Sequence, residues 1–150
     1  MFAQAVAVAA RALGDGRDGR RELFLTHALL VAQALGPEAT AAELSTAVLH
    51  DVLEDSDWTI DDLASSGVEA TVCQAVETLT RLEDENYEDF IARVCATRGI
   101  VGIISQRVKL ADLTVNIEHP DSVEERERHE RSLPIVRRAL EGNLDFERPR

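Results

Sequence analysis

The segment "VLHDVLED", Val48 to Asp55, sets one histidine and three carboxylates among aliphatic residues. On a helix of about 3.6 residues per turn, His50 and Glu54 lie four apart, Asp51 and Glu54 three, and Asp51 and Asp55 again four, so the polar groups gather on neighbouring faces. Carboxylates that close repel one another unless a cation sits among them or one keeps its proton. A divalent metal answers that repulsion, and histidine with carboxylates is a borderline-to-hard donor set suited to Mn, Fe, Zn or Mg. Cys73 and Cys95 are distant in sequence and have no CxxC partner. They suggest neither a disulfide framework nor a thiolate zinc site and read as buried, reduced thiols.

His50 and Asp51 fill part of a coordination shell, so further ligands must come from elsewhere. Two residues qualify: His27, at the start of an apolar run, and Asp112, whose carboxylate interrupts the buried-looking "VKLADLTVN". Each has a plainer use alone. His27 could be a helix-terminal or core histidine, His50 and Asp51 a hydrogen-bonded pair, Asp112 a partner of Lys109 or Arg107, and Glu54 with Asp55 a solvated helix end. Their joint occurrence in order is what points to a metal.

The elements that must position these groups read as helices. Aromatic residues make up 4% of the 150, while Ala, Leu, Val, Glu and Arg dominate. A first helix is expected from Phe2 to Leu13, ended by "GDGRDG", and a second from Phe24 to Leu35, stopped by Gly36-Pro37. Thr40 with Glu43, and Thr59 with Asp62, are capping-box patterns, the first opening a helix that carries the His50 segment at its end. Amphipathic helices follow from Val68 to Arg81 and over "NYEDFIARVCAT". The β-branched start of "GIVGIISQRVKLADLTVNIEHP" could form a strand, but no second strand is there to pair with it, so a buried helix from Val101 to Glu118 is expected. A charged surface helix with Pro134 inside it completes the chain, and His119 and His129 read as surface residues. Trp58 is expected to pack the loop after the His50 helix or to border a pocket. Tyr87 is expected to pack between helices, with stacking on a base as the alternative.

The ordered set of an isolated His, an HD doublet and a distant Asp on helices resembles the HD-domain metal-dependent phosphohydrolase superfamily. Within it, "THALLVA", "AVLHDVLEDSDWT" and "VKLADLTVN" are similar to the hydrolase domain of the guanosine polyphosphate (ppGpp) metabolising enzymes of RelA/SpoT type and their small stand-alone relatives, over roughly residues 24 to 117. The resemblance implies an all-α, single-domain HD-domain fold with a metal site in the bundle core, its core at about 22–118 and a C-terminal surface helix at about 121–142. It implies that His27, His50, Asp51 and Asp112 hold one divalent metal, Mn2+ in that subgroup, with Fe2+, Zn2+ or Mg2+ as alternatives. Glu54 and Asp55 match the pair that handles the attacking water, and Asn116 and Lys109 match residues near the substrate. Ala28 stands where the family has proline, Leu113 where it has arginine and Val115 where it has histidine. The family's upstream basic stretch is loosely echoed by "GRDGRRE", where Arg20 or Arg17 could contact substrate.

The expected activity is metal-dependent hydrolysis of a phosphorylated nucleotide, first of all ppGpp to GDP and pyrophosphate as in the stringent response. The alternatives are an HD-type nucleotidase or phosphatase acting on another nucleotide, and a nucleotide sensor that binds without turnover. A formal charge of −12 argues against nucleic acid or an anionic membrane as partner. An anionic ligand would then need a local basic rim, for which Arg17, Arg20, Arg21 and Lys109 are the candidates. No signal peptide or membrane span is read, so a cytoplasmic setting is expected, with room for a homo-oligomer.

Overall fold

Local signals in the chain become helix ends where the chemistry says they should. The computed structural model describes residues 1–149, and every regular element among them is a helix: α1 (Phe2–Leu13), α2 (Phe24–Ala34), α3 (Ala41–Leu49), α4 (Val52–Asp55), α5 (Ile60–Ser65), α6 (Ala70–Thr78), α7 (Tyr87–Ala96), α8 (Gly99–Glu118) and α9 (Val123–Glu147). Both expected capping boxes close, Thr40 with Glu43 at α3 and Thr59 with Asp62 at α5. Glu43 does more than cap. While Oε2 accepts the Thr40 N–H, Oε1 accepts Arg107 Nη1 at 2.8 Å, bracing α3 against α8.

The apolar "GIVGIIS" stretch is helix, as expected, and α8 is the axis of the bundle. Its buried residues run from Gly102 to Val115 on nearly every face, because α2, α3, α6, α7 and α9 all pack on it. Close approach is enforced at Gly102, where a Cβ would fall 2.0 Å from the Thr97 carbonyl oxygen. Beside it the buried Gln106 amide donates to the Val94 and Thr97 carbonyls at 3.1 Å each, satisfying the open end of α7. Asn143 of α9 in turn donates to Gln106 Oε1 at 3.4 Å.

The core is larger than the sequence boundaries of 22–118 imply. Ala5, Val8, Ala9 and Leu13 of α1 and Val136 of α9 belong to the same apolar cluster. The last helix is also longer than expected, running through Pro134 to Glu147. It is not a wholly exposed surface helix: His129, Ser132, Val136 and Asn143 form a buried stripe against α8. That stripe is mostly polar, so its hydropathy gave no sign of burial. His119 is exposed as expected, whereas His129 is 8% exposed and not a surface residue. Cys73 is buried, Cys95 half-buried, and both are free thiols. Among the described residues no helix is long and apolar enough to cross a membrane.

Candidate metal centre

The expected continuous helix through His50 breaks at the chemistry. His50 ends α3 in helical geometry, but Asp51 sits at φ −102°, ψ 1°, and α4 is a single turn. Asp51 occupies the N-cap of α4 without capping it, because its carboxylate turns to His50 Nε2 at 3.1 Å. The bridge-region backbone at Asp51 aims the side chain inward, where an unbroken helix would carry it around the axis.

Four elements converge here. His27 from α2, His50 from the end of α3 and Asp51 from the turn offer ligand atoms that all lie within 4.8 Å of one another. Asp112 of α8 adds Oδ1, 3.0 Å from His27 Nε2 and 3.5 Å from His50 Nε2. The orientation of His50 is fixed from behind: Nδ1 donates to the Ala47 carbonyl at 2.6 Å, so that nitrogen carries the proton. Nε2 then points into the cluster, buried, with Asp51 and Asp112 oxygens at 3.1 and 3.5 Å but neither in hydrogen-bonding geometry. A buried imidazole nitrogen facing carboxylates, its other nitrogen held by a carbonyl, is the arrangement a first-row divalent cation uses once the facing nitrogen gives up its proton. The donor set fits such an ion.

The Asp112 carboxylate is fixed as well. Lys109 Nζ lies 2.9 Å from Oδ2 and Asn116 Nδ2 donates to Oδ1 at 3.1 Å. Burial pushes the Asp112 carboxyl up, but Lys109 and the two histidines outweigh it and hold it well below the usual range. Burial likewise opposes charge on His50, yet Asp51 and Asp112 raise its pKa well above the ordinary histidine value. Asp51 is lowered by His50 against its burial. Protons and a metal ion compete for these atoms, and cation binding must displace the proton from His50.

Two clefts meet at the cluster, and Asp51, Glu54 and Lys109 line both. The wider, about 230 Å³, also carries Arg20, Asp55, Asp121 and Asn116. The narrower, about 140 Å³, adds Arg81, Tyr87 and Phe90. A larger cavity of about 370 Å³ lies elsewhere, lined by residues such as Ala39, Leu110 and Arg137, with no histidine, aspartate or cysteine in it. Beside the ligands, burial and the nearby Asp51 raise the Glu54 carboxyl. The same causes, with Glu54 added, push Asp55 up to about 7.

The structure corrects the expected basic rim. Arg20 does reach the wider cleft, but Nε lies 2.8 Å from Asp121 and Nη2 3.3 Å from Asp18, so its charge is neutralised locally. Neither Arg17 nor Arg21 lines either cleft, and Arg17 Nη1 donates to the Arg21 carbonyl instead. The family departures Ala28, Leu113 and Val115 are 2%, 0% and 5% exposed and line neither cleft, so they alter packing rather than cleft surface. Trp58 packs against the core with the Arg11 guanidinium 5.4 Å from its ring centre, away from both clefts. Tyr87 packs against the core, as expected, and also lines the narrow cleft. Arg81 was not foreseen: nothing in its spacing links it to residues distant in sequence.

No family model matches the chain, and no curated protein matches it. A solved structure does. It belongs to a metazoan ortholog of SpoT reported to hydrolyse ppGpp and to play a role in starvation responses, and it matches at TM-score 0.74 and 22% identity. The match covers 95% of this chain and 86% of that one. The two proteins share one fold. The all-α expectation therefore holds at the level of whole-chain architecture as well as helix by helix.

Proposed function

We propose that this chain is an HD-type, metal-dependent hydrolase that converts ppGpp to GDP and pyrophosphate. The observation that carries the reading is the convergence of His27, His50, Asp51 and Asp112, with the buried His50 Nε2 facing carboxylate oxygens of both aspartates. Likeness of fold to a protein reported to hydrolyse ppGpp supports the choice of substrate. These four residues would hold one divalent ion, Mn2+ in our assignment. Such an ion supplies Lewis acidity toward a phosphoryl oxygen and water that is nucleophilic at neutral pH.

The reaction needs a water oxygen to bond to the phosphorus next to the 3′ oxygen while that P–O bond breaks. The 3′ oxygen takes up a proton, and pyrophosphate departs with the oxygen of water. Two carboxylates stand ready for the proton work. Glu54 Oε1 is already engaged by the Arg81 N–H at 2.7 Å, which fits it to orient water rather than to exchange protons. Asp55 lines the wider cleft one residue further on, and we assign it the proton transfer. Asn116, Lys109 and Arg20 line the same cleft and are assigned to substrate contact there.

A cytoplasmic setting suits the two free cysteines, since thiols stay reduced there. The test is an Mn2+-supplemented assay of the purified protein against ppGpp beside nucleoside mono-, di- and triphosphates, with Asp51→Ala as control. Release of GDP and pyrophosphate by the parent alone is the expected result. Phosphate release from a different nucleotide keeps the metal chemistry and changes the substrate, and no turnover by metal-loaded parent refutes the hydrolase.

A further inference from the structure

We infer that Arg81 is the anion-binding residue of the narrow cleft and receives the distal phosphate of the 3′-diphosphate. This rests on the hydrolase reading above and deepens it. The guanidinium is placed by two bonds that leave its charge unspent. The Arg81 backbone N–H donates to Glu54 Oε1, and its Nε donates to the Glu85 carbonyl, each at 2.7 Å. The neighbouring Glu85 carboxylate is already held by Arg93 through two bonds, at 2.9 and 3.0 Å. Arg93 also donates to the Thr78 and Thr80 carbonyls, which fixes the loop carrying Arg81. Among the described residues Arg81 has no carboxylate within ion-pair distance.

The balance of charge favours this side of the centre. Once Asp51 and Asp112 are committed to a dication, the narrow cleft retains Glu54 against Arg81 and Lys109. The wider cleft retains Asp18, Glu54, Asp55 and Asp121 against Arg20 and Lys109, and Asp18 and Asp121 are themselves paired with Arg20. A diphosphate group is therefore repelled on the wide side and attracted on the narrow one. Arg81 lines this cleft, and an exposed guanidinium with no carboxylate partner is suited to forked bonds with phosphate oxygens.

The probe is inorganic pyrophosphate, titrated calorimetrically into Mn2+-saturated protein. Arg81→Gln weakens binding about tenfold or more, the loss expected for a charge-assisted contact. Arg81→Lys recovers part of it. The Gln amide nitrogen stands where Nε stands and can keep the bond to the Glu85 carbonyl, so the loss in Arg81→Gln reads the charge rather than the loop. Arg20→Gln weakens binding less than Arg81→Gln does. In steady state, Arg81→Gln raises KM for ppGpp while leaving KM for guanosine bearing a single 3′ phosphate unchanged. The proposal is overturned if Arg81→Gln binds pyrophosphate within twofold of the parent, if Arg20→Gln loses more, or if the parent binds none. Because the probe is not ppGpp, Arg81-dependent binding without ppGpp turnover upholds this site and removes the substrate reading alone.

Discussion

The backbone N–H of Arg81 is bonded to the Glu54 carboxylate at 2.7 Å, so the loop before α7 is tied to the turn that carries the site's acids. Glu54 thus faces the cluster on one side and a fixed donor on the other, while Asp55 has no such tether. That asymmetry separates two adjacent carboxylates that the sequence presents as a matched pair.

Asp55→Asn is expected to lower kcat by about 10²- to 10⁴-fold, the usual range for removing a proton-transfer group, with bound metal unchanged. Glu54→Gln keeps an oxygen that can accept the Arg81 N–H and falls by less. Steady-state rates with metal analysis of each variant check this, and equal losses would remove the division of labour.

Asp112→Ala should cost both metal and stability. Lys109 is 9% exposed and its ammonium faces Asp112 at 2.9 Å, so removing the partner strands a buried cation at a cost of about 3–5 kcal/mol. Asp51→Ala abolishes metal binding with a much smaller effect on the metal-free fold, since Asp51 is 28% exposed. Urea unfolding in chelator, beside metal content, distinguishes the two.

Gly102→Ala inserts a methyl group 2.0 Å from the Thr97 carbonyl, inside the joint of α7, α8 and α9. A loss of about 1–3 kcal/mol or more is expected, read as a fall of several degrees in Tm. An unchanged melting temperature would mean that the α7 end can move aside at little cost.

His129 gives a pH dependence of known sign. Burial, with the Lys109 and Arg128 charges, lowers its pKa below the ordinary 6.5 against the pull of Asp112. Between its folded value and 6.5 the unfolded chain binds more protons, so stability falls as pH drops through that window and the loss is complete below the folded value. Relative to His129→Gln, the metal-free parent should lose stability as pH is lowered below about 6.5 and match the variant's slope above it. Parallel curves throughout would show that His129 titrates normally.

Removing the metal should leave the helices in place. His27, His50, Asp51 and Asp112 already hold one another through direct contacts, and the apolar cluster spans α1 to α9 without them. Circular dichroism before and after chelation checks this, the expected outcome being unchanged helix content with a lower Tm, because ligand binding stabilises the folded state alone.

The sequence by itself determined what depends on neighbours along the chain. Caps at Thr40 and Thr59, helical periodicity, and glycine stops gave helix ends close to those observed. That His27, His50, Asp51 and Asp112 belong together was legible because ionisable groups inside apolar runs are costly without a shared purpose, and the fold does bring the four side chains into one cluster. Tertiary structure alone decided the rest, for reasons of distance and direction. Whether a guanidinium is free depends on which carboxylates the fold brings beside it: Arg20 meets Asp121 and is neutralised, while Arg81 meets the Glu85 carbonyl because Arg93 has taken that carboxylate. The polar stripe of α9 is buried against neighbours distant in sequence, Asn143 bonding Gln106 of α8 and Ser132 bonding Tyr87 of α7, and periodicity of hydropathy cannot register a polar face. The Asp51 carboxylate lies beside its chain neighbour His50 and also 3.8 Å from His27, and the second attraction exists only once α2 has met the end of α3.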